Sequence, residues 1–299
     1  MNRNDLIVDR KKSWIMLGPP TVLAVVIIVL PILYMLRVSF FPQSNVGAYS
    51  EGFTIGNYTQ ILTDSFYLKV LLRTLLIGLG TGILCTVIAY PVAFHMSRLS
   101  ARRQQVLTMV IVAPLYTSIV IRCYAWIVIL GNKGIVNSLL GYLGIKPVSM
   151  LYSYFSVYLG LTYVFLAFMI LSIFNVLVTI SRNVEEASMI MGASPLRTFI
   201  EVTLPLSLPG VFSGFLLVFV LSMGAYVVPE LLGGARLRLI PNYIYDSVIN
   251  TFNWPLGSAL AFVYILLTFV VLILYFRIVT GFSRHLTGAK NSGKRGGKK

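Results

Sequence analysis

Two adjacent carboxylates, Glu185 and Glu186, open a stretch that continues Ala187-Ser188-Met189-Ile190-Met191-Gly192-Ala193-Ser194 and closes on Pro195. Carboxylates complement the positive end of a helix and proline halts or kinks one, so the spacing predicts a short surface helix here. Ala187, Met191 and Gly192 leave little bulk where another protein's groove could approach the backbone, and methionine adapts well at docking surfaces. The chemistry on offer is recognition of a partner.

The second group with chemical potential is the lone charge Arg122, inside an otherwise apolar run. A charge at membrane depth costs at least about 2.5–3.5 kcal/mol on insertion scales, so it usually faces a cavity or a partner. The competing reading is structural: Arg122 snorkels to the headgroups or pairs with Glu230 or Asp246. Tyr116, Tyr124, Trp126, Tyr226, Tyr243 and Trp254 stand near the same ends of their runs. Such rings can stack on a cationic solute, but more often they form the interfacial belt of a membrane protein. Arg122, Tyr124, Trp126, Tyr226, Glu230 and Asp246 are thus the candidate solute-pathway residues.

Other chemistries lack their residues. His95 and His285 stand alone, with no Cys or carboxylate at ligand spacing, so no metal site is expected. Cys85 and Cys123 lie inside apolar runs, where a thiol behaves as a small hydrophobe. There is no GxxxxGK phosphate loop, and no cluster of acids, histidines or nucleophiles that would serve catalysis, so no cofactor is expected on this chain.

The elements that carry these residues must be membrane helices. Of 299 residues 57% are hydrophobic and only 11% charged, against about 25% in an ordinary soluble domain. About 20 apolar residues span a bilayer as a helix. Six such runs occur, at approximately Trp14 to Leu36, Leu75 to Phe94, Val106 to Leu130, Tyr154 to Val178, Leu206 to Val228 and Ala259 to Phe276. Barrel strands are excluded because the runs do not alternate. The first run has 23 residues without a charge, too long for a signal core, and no small-x-small cleavage site follows it, so it is expected to be retained.

The net charge of +15 does not imply nucleic acid, since the basic residues are dispersed between apolar runs. It sets topology. With the N-terminus inside, 16 Lys and Arg fall on the cytoplasmic side and 7 outside, which places both termini in the cytoplasm. The expected organisation is a cytoplasmic arm over 1–13, a six-helix domain over 14–280 with a polar loop at about 179–205, and a basic, disordered cytoplasmic tail over 281–299 that touches anionic lipid. Asn57-Tyr58-Thr59 in the loop from about Val38 to Lys69 matches the glycosylation pattern, which most often arises by chance. A self-sufficient secondary transporter or channel is the competing class, but duplicated halves and intramembrane ion-coupling groups are lacking.

Glu186-Ala187-Ser188, then Gly192, then Val202-Thr203-Leu204-Pro205 follow the spacing Glu-Ala-Ala, three residues, Gly, nine residues, Ile-x-Leu-Pro. In this the sequence resembles the permeases of binding-protein-dependent ABC importers, with Ser188 and Val202 as conservative departures. Arg122-Cys123-Tyr124-Ala125-Trp126 through Gly131-Asn132-Lys133-Gly134, and Tyr226-Val227-Val228-Pro229-Glu230-Leu231-Leu232-Gly233-Gly234, are similar to signatures of the spermidine/putrescine-type permeases.

The resemblance implies an all-α, type I importer permease in the bacterial inner membrane, with Glu185, Glu186, Ala187, Gly192, Ala193, Leu204 and Pro205 as the ATPase-coupling residues. It also implies a second, similar permease chain, two separate ATPase chains that use ATP and Mg, and a periplasmic or lipid-tethered solute-binding protein. The solute is expected to be a small amine-bearing molecule: a polyamine, an opine or an amino-acid-like compound. Some polyamine permeases are expected to carry Glu where Ala225 stands and Asp where Asn253 precedes Trp254-Pro255. Their absence favours a solute with less positive charge than spermidine.

Overall fold

In the computed structural model, residues 10–44 and 47–286 are described. The chain is built from helices: α1 Arg10–Val38, α2 Gly56–Thr63, α3 Ser65–Ser97, α4 Ala101–Val112, α5 Ile119–Leu130, α6 Ile135–Tyr142, α7 Tyr154–Thr179, α8 Arg182–Ile190, α9 Pro195–Thr198, α10 Leu204–Met223, α11 Ile240–Tyr245 and α12 Trp254–Leu286. Wider π-turns occupy Phe199–Thr203, Pro229–Gly233 and Asp246–Asn250. Among the described residues six helical stretches are long and apolar enough to cross a membrane: Gly18–Val38, Ser65–Ser97, Ile119–Tyr142, Tyr154–Thr179, Pro195–Met223 and Trp254–Gly281.

The number of spans agrees with the apolar runs, but the third is displaced. The run from Val106 to Leu130 is broken where Ala113–Tyr116 forms a tight turn and the helix restarts at Ile119. Pro114 lies in that turn. It supplies no amide hydrogen and its ring crowds a continuing helix, so the spanning stretch begins later and runs on through α6. The fifth run also ends early, at Met223 rather than Val228, because Gly224 caps the helix. The first helix begins at Arg10, four residues before the apolar run. At the other end α12 continues to Leu286, so the first residues of the expected tail are helical, and the remainder of that tail lies outside the described residues.

The chain divides into two compact units. The larger holds residues 66–242 and, within the described residues, 266–286. Its central helix is α7, which carries neither charge nor proline and starts from a capping box in which Ser153 and Ser156 exchange hydrogen bonds with each other's backbone amides. Val157, Leu161, Met169 and Ile173 of α7 are wholly buried. α10 lies along α7 on small residues. A methyl group on Gly210 would stand 2.9 Å from the backbone oxygen of Ser172, and one on Gly214 would stand 2.7 Å from Met169 Sδ. In lipid there is little hydrophobic gain from pairing helices, so close backbone approach is what holds them.

The smaller unit contains residues 10–65 and 243–265 among those described. α1 tolerates Pro19, Pro20 and Pro31, and its residues from Val22 to Leu33 are largely exposed, as expected of a lipid-facing span. Beyond it, Asn57 is buried and its amide nitrogen donates to the carbonyls of Ser39 at 2.9 Å and Phe41 at 3.0 Å. The glycosylation match is therefore a structural asparagine, closing the turn after α1.

Candidate functional site

α8 joins the expected docking segment to the membrane helices. Ser181 caps it, its hydroxyl accepting from the Asn183 amide at 3.3 Å, and Glu185 lies in its first turn, where the helix dipole favours a carboxylate. Seven residues after Glu185 the chain turns at Gly192 with φ +91°, a left-handed conformation that other residues adopt at a cost. Ser194 then caps α9 by accepting from the Arg197 amide at 3.3 Å, with Pro195 in the first helical position where its missing amide costs nothing. The hairpin of α8 and α9 closes on a hydrogen bond between the Ser188 and Thr198 hydroxyls, 3.1 Å apart.

The two adjacent glutamates have opposite fates. Glu186 is exposed. Glu185 is only 7% exposed and receives both terminal nitrogens of Arg98, the residue that follows α3, together with the Thr203 hydroxyl at 2.7 Å. Arg98 holds the Glu185 carboxyl below its ordinary range, against the opposing effect of burial, and Thr203 and Arg182 reinforce the shift. Reciprocally, hydrogen bonding to Glu185 pushes Arg98 up despite its own burial. Arg182 Nη2 donates to the Arg98 carbonyl at 3.1 Å, and the Arg98 guanidinium lies 4.7 Å from the centre of the Phe94 ring. Phe94 and Tyr90 meet Phe199 edge to face at 5.3 and 5.8 Å.

What faces outward is apolar. Ile190 is 86% exposed, Met191 83% and Leu196 69%, and a side chain on Gly192 would meet nothing within 4 Å. Ala187 is exposed and Ala193 half-buried beside them, while Leu204 and Pro205 are half-buried at the start of α10. Large apolar side chains thus stand exposed around a glycine, at the end of helices that are otherwise locked by polar contacts, and form an apolar patch on the surface. Sequence reasoning singled out Glu185 and Gly192 but gave Arg98 and Arg182 no role beyond topology and took Thr203 only as part of the motif at Leu204-Pro205; the basic cluster after the second span is a signal for Arg98 alone.

The solute-pathway candidates fall into separate groups. Arg122 in the first turn of α5 lies 5.9 Å from the Tyr163 ring centre, and Trp126 meets the same ring edge to face at 5.7 Å, so α5 and α7 bring these three together. Arg122 Nε and Nη1 are buried without a hydrogen-bond partner. Tyr124 points elsewhere and is exposed. Glu230 is not the partner of Arg122. It accepts from Arg238 Nη2 at 3.2 Å and from Asn242 Nδ2 at 2.8 Å, and Asn242 also holds the Tyr226 carbonyl at 3.1 Å. This second cluster lies by the first turn of α7, where Tyr152 N and Ser156 Oγ both donate to the Leu232 carbonyl. Asp246 belongs to the smaller unit, where it accepts from Asn250 Nδ2 at 2.7 Å. Among the described residues no three His, Cys, Asp or Glu are grouped to hold a metal.

Among the described residues, helices with six stretches able to cross a membrane and a hairpin locked by polar contacts before the fifth make the architecture of a polytopic permease. Residues 78–286 match the family described as binding-protein-dependent transport system inner membrane component, and the chain belongs to it. It is thus a multi-pass inner-membrane permease of an ABC importer and not an enzyme.

Curated relatives include the spermidine/putrescine transport system permease protein PotB of Escherichia coli strain K12, 32% identical across 85% of this chain and 92% of the relative. PotB of Haemophilus influenzae is 35% identical across 84% and 88%. The sulfoquinovosyl glycerol permease SmoG of Agrobacterium fabrum is 27% identical across 91% of each chain. Among solved structures, a bacterial ABC transporter that imports the acidic polysaccharide alginate has a chain with the same fold, at TM-score 0.71 and 15% identity over 93% of this chain and 98% of that one. The same transporter in complex with an alginate pentasaccharide-bound periplasmic protein matches at TM-score 0.72.

Proposed function

We propose that this chain is one half of a permease pair in an ATP-driven importer that moves a small amine-bearing solute inward by alternating access. The observation that carries this reading is the apolar platform of Ile190, Met191 and Leu196 around the left-handed Gly192, braced from behind by Glu185. Separate ATPase chains, which bind the ATP and Mg, dock there. Closure of the ATPase dimer moves α8, the paired permeases open outward to accept solute from a periplasmic or lipid-tethered binding protein, and hydrolysis resets them inward. The platform and both termini face the cytoplasm, which the excess of Lys and Arg on that side supports.

The names of the PotB relatives support an amine as solute. Two features of this chain support one with less positive charge than spermidine. The Glu230 carboxylate is already engaged by Arg238 and Asn242, and Arg122 presents buried nitrogens without an anion beside them. A polycation needs carboxylates or aromatic faces to replace its hydration. The test is uptake by the importer reconstituted in proteoliposomes with its ATPase, partner permease and binding protein, with spermidine, monoamines and zwitterionic amines in competition. Preferred, saturable uptake of a singly charged or zwitterionic amine is expected, and preference for spermidine would return the solute to the polyamines. Reporter fusions at Arg102 and Ser194 are expected to report the cytoplasm and those at Gly141 and Gly233 the outside; an inside location for Gly233 would overturn the topology.

A further inference from the structure

Glu185 is the one acidic side chain of the docking hairpin that no incoming partner can reach, and its contacts lead away from the platform into the membrane helices. α8 is covalently continuous with α7 through Ile180 and Ser181, and with α10 through α9 and the π-turn. It has no covalent link to α3 nearer than the distant chain through α4, α5 and α6. Glu185 supplies that link: Arg98 follows the last residue of α3 by one position, and Thr203 precedes the first residue of α10 by one. One carboxylate therefore ties α8 to the ends of two spans at once. The Arg182 bond to the Arg98 carbonyl doubles the tie to α3, and Phe199 against Tyr90 and Phe94 continues it on the apolar side. A cavity of about 280 Å³ lies beside the pair, lined by Arg98, Glu185 and Thr203 and by Leu177, Val178 and Ile180, so on that side the pair is not packed closely.

We infer that Arg98, Glu185 and Thr203 form a strut that makes α3, α7 and α10 move as one when a partner displaces the α8 platform, so that Arg98 and Thr203 are positioning residues for coupling. Without the strut, α8 pivots on its flanking turns at Ser181 and Gly192, and displacement of the platform is absorbed there instead of reaching α3. A guanidinium is suited to the task because its planar fork fixes the direction as well as the distance of its partner. This inference rests on the docking role of the α8 platform proposed above, and the experiment separates the two.

The test uses the complete importer in proteoliposomes, reading both ATP hydrolysis and solute uptake for Arg98→Gln, Arg98→Lys, Thr203→Val and Gly192→Leu. Arg98→Gln is expected to keep its ATPase subunits through purification and to hydrolyse ATP, while ATP consumed per solute imported rises roughly tenfold, a size typical of coupling between linked sites. Arg98→Lys, which keeps the charge, should recover most of that loss. Thr203→Val, which keeps the side-chain shape and removes the hydroxyl, should raise the same ratio roughly threefold, the size expected from losing one hydrogen bond of ordinary net strength. An unchanged ratio in Thr203→Val, or loss of the ATPase subunits from Arg98→Gln, would overturn the strut. Gly192→Leu reports on the docking reading alone: full uptake in that variant would remove the platform, whereas abolished uptake beside an unmoved Arg98→Gln ratio would remove only the strut.

Discussion

Each end of the α7–α10 packing holds a glutamate against an arginine, and the two pairs are built on different scales. Glu230 takes Arg238 and Asn242 from within a dozen residues, so the pair shapes a single loop. Glu185 takes Arg98 from 87 residues away and Thr203 from 18 away, so that pair joins separate spans. Around Glu230 the apolar neighbours Leu232, Leu237 and Leu239 are buried, whereas around Glu185 the large apolar residues of the hairpin are left in the open. Beside the polar tie that reaches across the fold the outer surface stays uncovered, whereas the surroundings of the local tie pack as core.

The largest effect that would test this contrast is expected at Gly192. Leucine there finds no clash within the chain, so Gly192→Leu should insert and accumulate normally, with only the strain of the left-handed turn, about 1–3 kcal/mol. Uptake should nevertheless be abolished, because the side chain enters the partner's space; wild-type uptake at normal membrane levels would break the comparison. Next is the long-range pair itself. Glu185→Gln should lower the unfolding free energy by about 2 kcal/mol, less than the full cost of a severed buried pair because the Arg98 side chain is 34% exposed. Its pH dependence has a definite sign. Glu185 titrates below the ordinary 4.5, so the unfolded chain gains its proton first as the medium acidifies. The stabilisation is therefore complete above pH 4.5 and lost as pH falls through the folded value. Thermal unfolding of the purified protein between pH 7 and 3 should show the difference between wild type and Glu185→Gln narrowing only in that acidic range.

Gly210→Ala sharpens the contrast by striking the helix packing that both ends share. The added methyl would lie 2.9 Å from a backbone oxygen, so it should cost about 1–3 kcal/mol by thermal unfolding. The local pair should be weaker than the long-range one: Arg238→Met should cost about 1 kcal/mol in the same assay, and a loss as great as that of Glu185→Gln would erase the distinction. The smallest effect belongs to Arg197, whose bond to Glu201 at 2.9 Å is fully on the surface one helical turn away. Arg197→Ala should change stability by no more than about 0.5 kcal/mol.

Sequence reading reached the six spans because hydropathy is a property of composition, but composition is blind to a turn. Residues 106–130 are apolar on both sides of Pro114, so a window sees one helix where the backbone makes two and shifts the span toward Tyr142. The short helix and turn of α8 were legible because their whole signal lies within a few residues: paired acids, a glycine and a proline. Their brace was not, since Arg98 looks like any other residue of a basic cluster between two spans until the fold sets it against Glu185. For the same reason the sequence offered Glu230 to Arg122, when a nearer arginine, Arg238, already occupied it.

The bare flank of α1 bears on how this subunit behaves outside the bilayer. From Val22 to Leu33 almost every large side chain is uncovered by the rest of the chain, on all sides of the helix. Solubilised alone, this stretch must collect a collar of surfactant along its length, enlarging the micelle and inviting self-association at low detergent. Co-expression with the other subunits and extraction into lipid nanodiscs is the preparation this helix calls for.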